Sequence, residues 1–182
     1  DQDPYLGALF ALVAPAIGPS TARPPSHFGL KKKEHCDPSK EKNAFCSVFL
    51  HALAAMALPA PKLFLKPDKH SGLQLAHTSD HTSFVAGANA MGRKDPREMA
   101  FLSAKQLAHL HPSLFLRVAL QTRAQLDLVF LAALKLTQPE TAIPKEKNSA
   151  VNKNVDLLKR KLQLPQIEQL GSVVRKVSDG KN

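Results

Sequence analysis

Tryptophan is absent from this 182-residue chain, tyrosine occurs once, and aromatic residues together make up only 5% of it. A hydrophobic core must therefore be built from Leu, Ala, Val and the nine Phe. Cysteine is scarce too: Cys36 and Cys46 are the only two, fewer than the disulfide framework of a small secreted domain requires. They read as free thiols in a reducing compartment. No glycine-rich phosphate loop is present, because Gly87 and Gly92 make neither G-x-G-x-x-G nor a Walker A pattern. Acids are in short supply, 15 against 25 Lys plus Arg, so the net charge is +10. That balance permits an acidic partner such as nucleic acid or anionic lipid. The positive charge is nevertheless spread over several loops and the C-terminal part, without the interleaved aromatics on which single-stranded bases stack. The apolar run Tyr5–Ile17 is shorter than the roughly 20 residues a bilayer span needs. Acids precede it where a signal peptide carries bases, and Pro15 interrupts it. It reads as a buried helix, which points to a cytoplasmic protein with no membrane contact. The chain opens at Asp1 without an initiating Met, which suggests a piece of a longer protein.

What is present is the composition of a globular domain, 43% hydrophobic and 22% charged. The expectation is one α+β domain over 1–182, predominantly helical, with a small sheet of short strands before a central helix. Three stretches follow one another: N-terminal helices and a loop (1–61), a core (62–137), and C-terminal helices (138–182). Asp3-Pro4 predicts a helix over 4–17, Asp3 as N-cap and Pro4 at the first position. Residues 18–42, rich in Pro, Ser and Lys, read as an irregular connection. Phe45, Val48, Phe49, Ala52, Leu53 and Met56 repeat at helical spacing over 43–58, and Pro59 and Pro61 stop that helix. Short extended runs follow at 62–66, 73–76 and 83–86, separated by turn residues. Asp95-Pro96-Arg97-Glu98 predicts an N-cap, a first-position proline and a capping box for a helix over 96–111. Further helices are expected over 113–120, 122–136, 150–162 and 165–177.

The 96–111 segment carries the most specific signal. Its five residues Lys105-Gln106-Leu107-Ala108-His109 follow an apolar lead-in and three short strands. The arrangement resembles the active-site helix of gluzincin-type zincin metallopeptidases, whose motif is H-E-x-x-H, and the resemblance covers roughly residues 60–137. In the intact motif two histidines four apart reach one zinc ion from one helix face, and the glutamate takes a proton from the metal-bound water. Here Lys105 replaces the first histidine, and a charged ammonium has no lone pair for a dication. Gln106 replaces the glutamate, and an amide is no general base. Only His109 remains, and it reads as a structural histidine. The glutamate-Ala-Asp context that supplies the third ligand in that family is missing after His109; Glu140, Glu146 and Glu168 are the only later glutamates. The resemblance thus implies no enzyme, no metal and no cofactor. It implies instead a degenerate scaffold that binds a protein partner or other domains of its parent chain. Domains of this kind resemble modules of large bacterial proteins that also carry tetratricopeptide repeats. An extended peptide would lie along an edge strand at Ser83, Phe84, Val85 and Ala86. The alternative function is a basic nucleic-acid-binding helical module.

Other groupings read blandly. His35, Cys36, Cys46 and His51 have the spacing C-x9-C-x4-H, without a C-x-x-C knuckle, and Cys46 sits among apolar neighbours as a small buried thiol does. His70, His77 and His81 read as loop histidines. Ser79, Asp80 and His81, adjacent in a turn, lack the reach of a catalytic relay. Lys31-Lys32-Lys33 reads as a solvated surface run. Lys159-Arg160-Lys161 lies on an amphipathic helix with Leu157, Leu158, Leu162 and Leu164, suited to packing or to docking a partner.

Overall fold

Asp3 opens the first helix as its cap: one carboxylate oxygen accepts from the backbone N–H groups of Tyr5 (2.8 Å) and Leu6 (3.3 Å), with Pro4 in the first turn. This helix, α1 (Pro4–Thr21), continues through Pro15 and Pro19 and so runs past the expected end at 17. Each proline lacks one N–H for the helical ladder. Both are exposed, as their spacing of four places them on one face, so the lost bonds fall on the solvent side. At 18 residues and a mean hydropathy of 1.2, α1 is long and apolar enough to cross a membrane by length and composition. Its packing is that of a core helix, with Leu9, Val13, Ala16 and Ile17 buried.

The computed structural model describes residues 3–179 and is α+β, predominantly helical, with one small mixed sheet. Two compact units divide it. One joins the residues up to Thr21 with those from His111 onward; the other is Ala22–Leu110. This partition differs from the three consecutive stretches 1–61, 62–137 and 138–182, because α1 packs with the C-terminal helices.

The helical unit comprises α1, α5 (Pro112–Ala119), α6 (Arg123–Thr137), α7 (Lys145–Lys161) and α8 (Leu164–Asp179). Each contributes to one core, for example Leu116, Val129, Val155, Leu158 and Leu170. Thr122 caps α6 in a full capping box with Gln125. Helix α7 begins at Lys145, five residues earlier than its apolar pattern suggests, directly after Pro144. Leu158 and Leu162 go into the core while Lys159, Arg160 and Lys161 face solvent. The apolar side of that helix is thereby used in packing, although Leu164 stays 69% exposed.

The Ala22–Leu110 unit holds the sheet. Three strands lie where the alternation places them: β2 (Lys62–Lys66), β3 (Leu73–His77) and β4 (Thr82–Gly87). A fourth, β1 (His35–Cys36), arises inside the expected irregular connection. That connection also contains two short 3-10 turns, Pro25–Phe28 and Lys32–Glu34. The strand order is β1-β2-β4-β3. Strand β4 runs parallel to β2, with Phe64 opposite Val85, and antiparallel to β3, with Leu75 opposite Phe84. It is therefore one of the two inner strands and not an edge. A run of Ser-Phe-Val-Ala-Gly with no charge is what a strand covered on both sides presents.

Leu63, Leu73, Phe84 and Ala86 face a core shared with α2 (Ala44–Ala55) and α4 (Pro96–Leu107), where Phe49 meets Phe84 edge-on at 5.9 Å. The short helix α3 (Ala88–Met91) follows β4. Its approach requires Gly87: a Cβ there would lie 2.4 Å from the Ser71 carbonyl oxygen and 2.6 Å from that of Lys69. Asp95 caps α4 by accepting from the Arg97 N–H at 2.8 Å. The capping box is not completed, because the Glu98 carboxylate pairs with Arg93 instead.

Candidate functional site

The Lys105-Gln106-Leu107-Ala108-His109 run sits at the C-terminal end of α4. Lys105, Gln106 and Leu107 are its last residues, and His109 belongs to a 3-10 turn over Ala108–Leu110. Lys105 is exposed, Leu107 is buried in the core, and Gln106 and His109 are half-buried. Among the described residues no three His, Cys, Asp or Glu side chains gather closely enough to hold a metal ion. Gln106 does line a cavity of about 160 Å³ together with Ser103, Met99, Arg93 and Phe45. Ser103 is 1% exposed, and among the described residues its hydroxyl has no hydrogen-bond partner.

The expected peptide edge is closed. Ser83, Phe84, Val85 and Ala86 are all buried, with both backbone sides engaged by β2 and β3. A peptide cannot add a strand where two neighbours already occupy both ladders. On the outer side of β3, the Arg23 N–H donates to the His77 carbonyl (3.1 Å), and the Ser79 N–H donates to that of Arg23 (2.9 Å). These bonds cover the end of that edge strand.

A different concavity collects the charge. Lys31 and Lys32, from the run that reads as a surface stretch, face Lys62 and Phe64 of β2 across a groove of about 460 Å³. His35 of β1 and the Thr78–His81 turn complete its walls, while Pro25, Leu30 and Phe64 make it apolar inside. Among the described residues Asp80 is the one carboxylate of the lining; its Oδ1 accepts from the Ser79 hydroxyl at 3.1 Å. That serine is therefore turned to its neighbouring carboxylate, not to an imidazole. Thr78 braces the turn: its hydroxyl donates to the His81 carbonyl and accepts from the His81 N–H. The loop wall is fastened from beneath. Lys66, 2% exposed, donates from Nζ to the Gly29 carbonyl and lies 3.3 Å from the Glu34 carboxylate. The same carboxylate accepts from the Lys31 N–H at 3.1 Å. Lys66 is neutralised within the wall, which leaves Lys31, Lys32 and Lys62 as the groove's outward cations.

The histidines and cysteines scatter. His70 is exposed, and its carbonyl accepts from Asn89. His51 is exposed too, with Nδ1 donating to the Ser47 carbonyl at 2.8 Å. His35 packs edge-on to Phe64 at 5.5 Å between ring centres. Cys36 and Cys46 do meet, sulfur to sulfur at 3.8 Å, both buried and both free thiols. Burial pushes the Cys36 thiol up to about 12, with the neighbouring Cys46 and the carboxylates of Glu41 and Asp37 acting in the same direction. Burial likewise raises Cys46.

Sequence reasoning missed the groove because its lining comes from three segments distant in the chain, 25–35, 62–64 and 78–81. The one signal available was the Lys31-Lys32-Lys33 run beside prolines, read as ordinary surface. Comparison of the chain with protein-family models, curated proteins and solved structures finds no match.

Proposed function

We propose that this chain is a non-catalytic binding module, and that its Ala22–Leu110 unit takes an acidic, partly apolar segment of a protein partner in the Lys31–Lys62 groove. The observation that carries this reading is the pairing of three outward lysines with an apolar floor. A peptide bearing carboxylates beside Leu or Phe side chains complements both features. A nucleic acid strand would want open aromatic faces for its bases. Phe64 is 8% exposed with His35 against its ring. Pinning of the loop by Lys66 and Glu34 favours binding, because a preformed wall loses little entropy on closing around a ligand.

The non-catalytic half of the reading rests on Lys105 and Gln106, which offer neither a metal donor nor a general base. It keeps the kinship to a degenerate gluzincin-type core within a larger cytoplasmic bacterial protein, a kinship supported by short strands followed by a helix packed beside them. Anisotropy titrations test the binding: a fluorescent peptide alternating Glu and Leu, a neutral analogue, and a single-stranded oligonucleotide of equal charge. The acidic peptide should bind tightest, and Lys31→Glu with Lys62→Glu should weaken it by roughly 5- to 30-fold. Preference for the oligonucleotide, or indifference to both substitutions, refutes the groove assignment. Stoichiometric zinc held through His109, or turnover of casein, refutes the non-catalytic part.

A further inference from the structure

We propose that Cys36 and Cys46 are the two halves of a reversible disulfide, a redox-controlled bond between strand β1 and the first turn of helix α2. The two sulfurs already stand at van der Waals contact, 3.8 Å apart, on elements that the sequence separates by an exposed loop. Cys36 lies opposite Leu63 in a strand of only two paired residues. Cys46 is held in the first turn of α2 by its N–H, which donates to the Asn43 side chain at 2.8 Å. Between them Asp37, Ser39, Lys40, Glu41 and Lys42 are all exposed. A two-residue strand and a solvated loop open at lower free energy than the core does, and that opening admits a small oxidant.

The oxidant class is a peroxide. One thiol, ionised once that opening has released it from burial, attacks a peroxide oxygen; the S–O bond forms, the O–O bond breaks, and the leaving oxygen departs as water with a proton. The second thiolate attacks the resulting sulfenic sulfur; the S–S bond forms, the S–O bond breaks, and a second water leaves. Two thiols lose two electrons and two protons, and the peroxide is reduced to two waters. A dithiol reverses the bond by exchange. Once made, the bond anchors to α2 the strand that carries His35 in the groove wall. Its formation does not depend on what the groove binds.

The test uses the full chain treated with hydrogen peroxide and then denatured and alkylated. Mass spectrometry should show the monomer lighter by two hydrogens, no alkylated cysteine, and a peptide linking Cys36 to Cys46. The oxidised protein should melt roughly 5–15 °C higher, return to its starting value with dithiothreitol, and show no such shift in Cys36→Ser or Cys46→Ser. Two alkylatable thiols after peroxide, sulfinic acid without the linked peptide, or disulfide dimers in place of the internal bond would each overturn the proposal. The mass measurement on the unsubstituted chain decides it even where a serine variant does not fold.

Discussion

Lys66 Nζ stands 3.3 Å from a Glu34 carboxylate oxygen, and both side chains are largely out of solvent, at 3% and 18% exposure. The pair joins the sheet to the 3-10 turn that shapes the basic groove. Removing one member leaves the other charge partly buried without its partner, which costs more than an intact pair contributes. Lys66→Met should lower stability by about 2–4 kcal/mol in urea titrations. It should also weaken peptide binding, since the Gly29 and Glu34 anchors of the loop are lost together. Lys62→Met, at an exposed neighbour on the same strand face, should leave stability within about 0.5 kcal/mol.

Gly87 and Gly72 form a matched pair for substitution. A methyl group at Gly87 would run into the backbone oxygens of Ser71 and Lys69, whereas one at Gly72 meets nothing within 4 Å. Backbone cannot step aside as a flexible side chain can. Gly87→Ala should therefore cost about 1–3 kcal/mol or more, while Gly72→Ala should change stability by less than about 1 kcal/mol. Thermal melts of the two variants side by side check the difference; equal effects would contradict the close approach.

The Cys36 thiol should make the reduced protein sensitive to alkali. In the unfolded chain a thiol titrates near its ordinary value of 9.0, and in the folded chain it is held near 12 by burial, by Cys46, and by the Glu41 and Asp37 carboxylates. Below the lower value both states keep the proton and pH has no effect through this group. Above it the unfolded state releases the proton first, so stability falls, by at most about 1.4 kcal/mol per pH unit. Urea midpoints between pH 8 and 11 should decline more steeply for the reduced protein than for Cys36→Ala.

Ser103 offers a test of opposite sign. Its hydroxyl is buried on α4 with no hydrogen-bond partner among the described residues, and an unpaired buried hydroxyl carries a desolvation cost without return. Ser103→Ala should be neutral or stabilising by up to about 1 kcal/mol. A clear loss of stability would mean that the hydroxyl is engaged in solution.

Much of the architecture was legible in the residues, and the reason differs from place to place. Asp3-Pro4 and Asp95-Pro96 announce helix starts because capping is a local event, completed within one turn. Period-two and helical spacing located three strands and most helices for the same reason. Where the outcome depended on something across the molecule, local reading failed. The first helix was expected to end at 17, whereas it runs on to Thr21 through Pro19, because the buried face of α1 that outweighs the cost of a proline is not visible in a local window. The strand at His35–Cys36 is too short to show a pattern, and it exists because Leu63 and Phe64 lie beside it.

By itself the sequence determined the class of fold, since propensity and capping belong to single residues and their near neighbours. Tertiary structure alone decided that Ser83–Ala86 lies on an inner strand of the sheet, that Lys31, Lys32 and Lys62 share one groove, and that two thiols ten positions apart touch. Strand order, grooves and sulfur contacts are set by which distant segments bury one another's apolar faces, and a linear spacing carries no record of that choice.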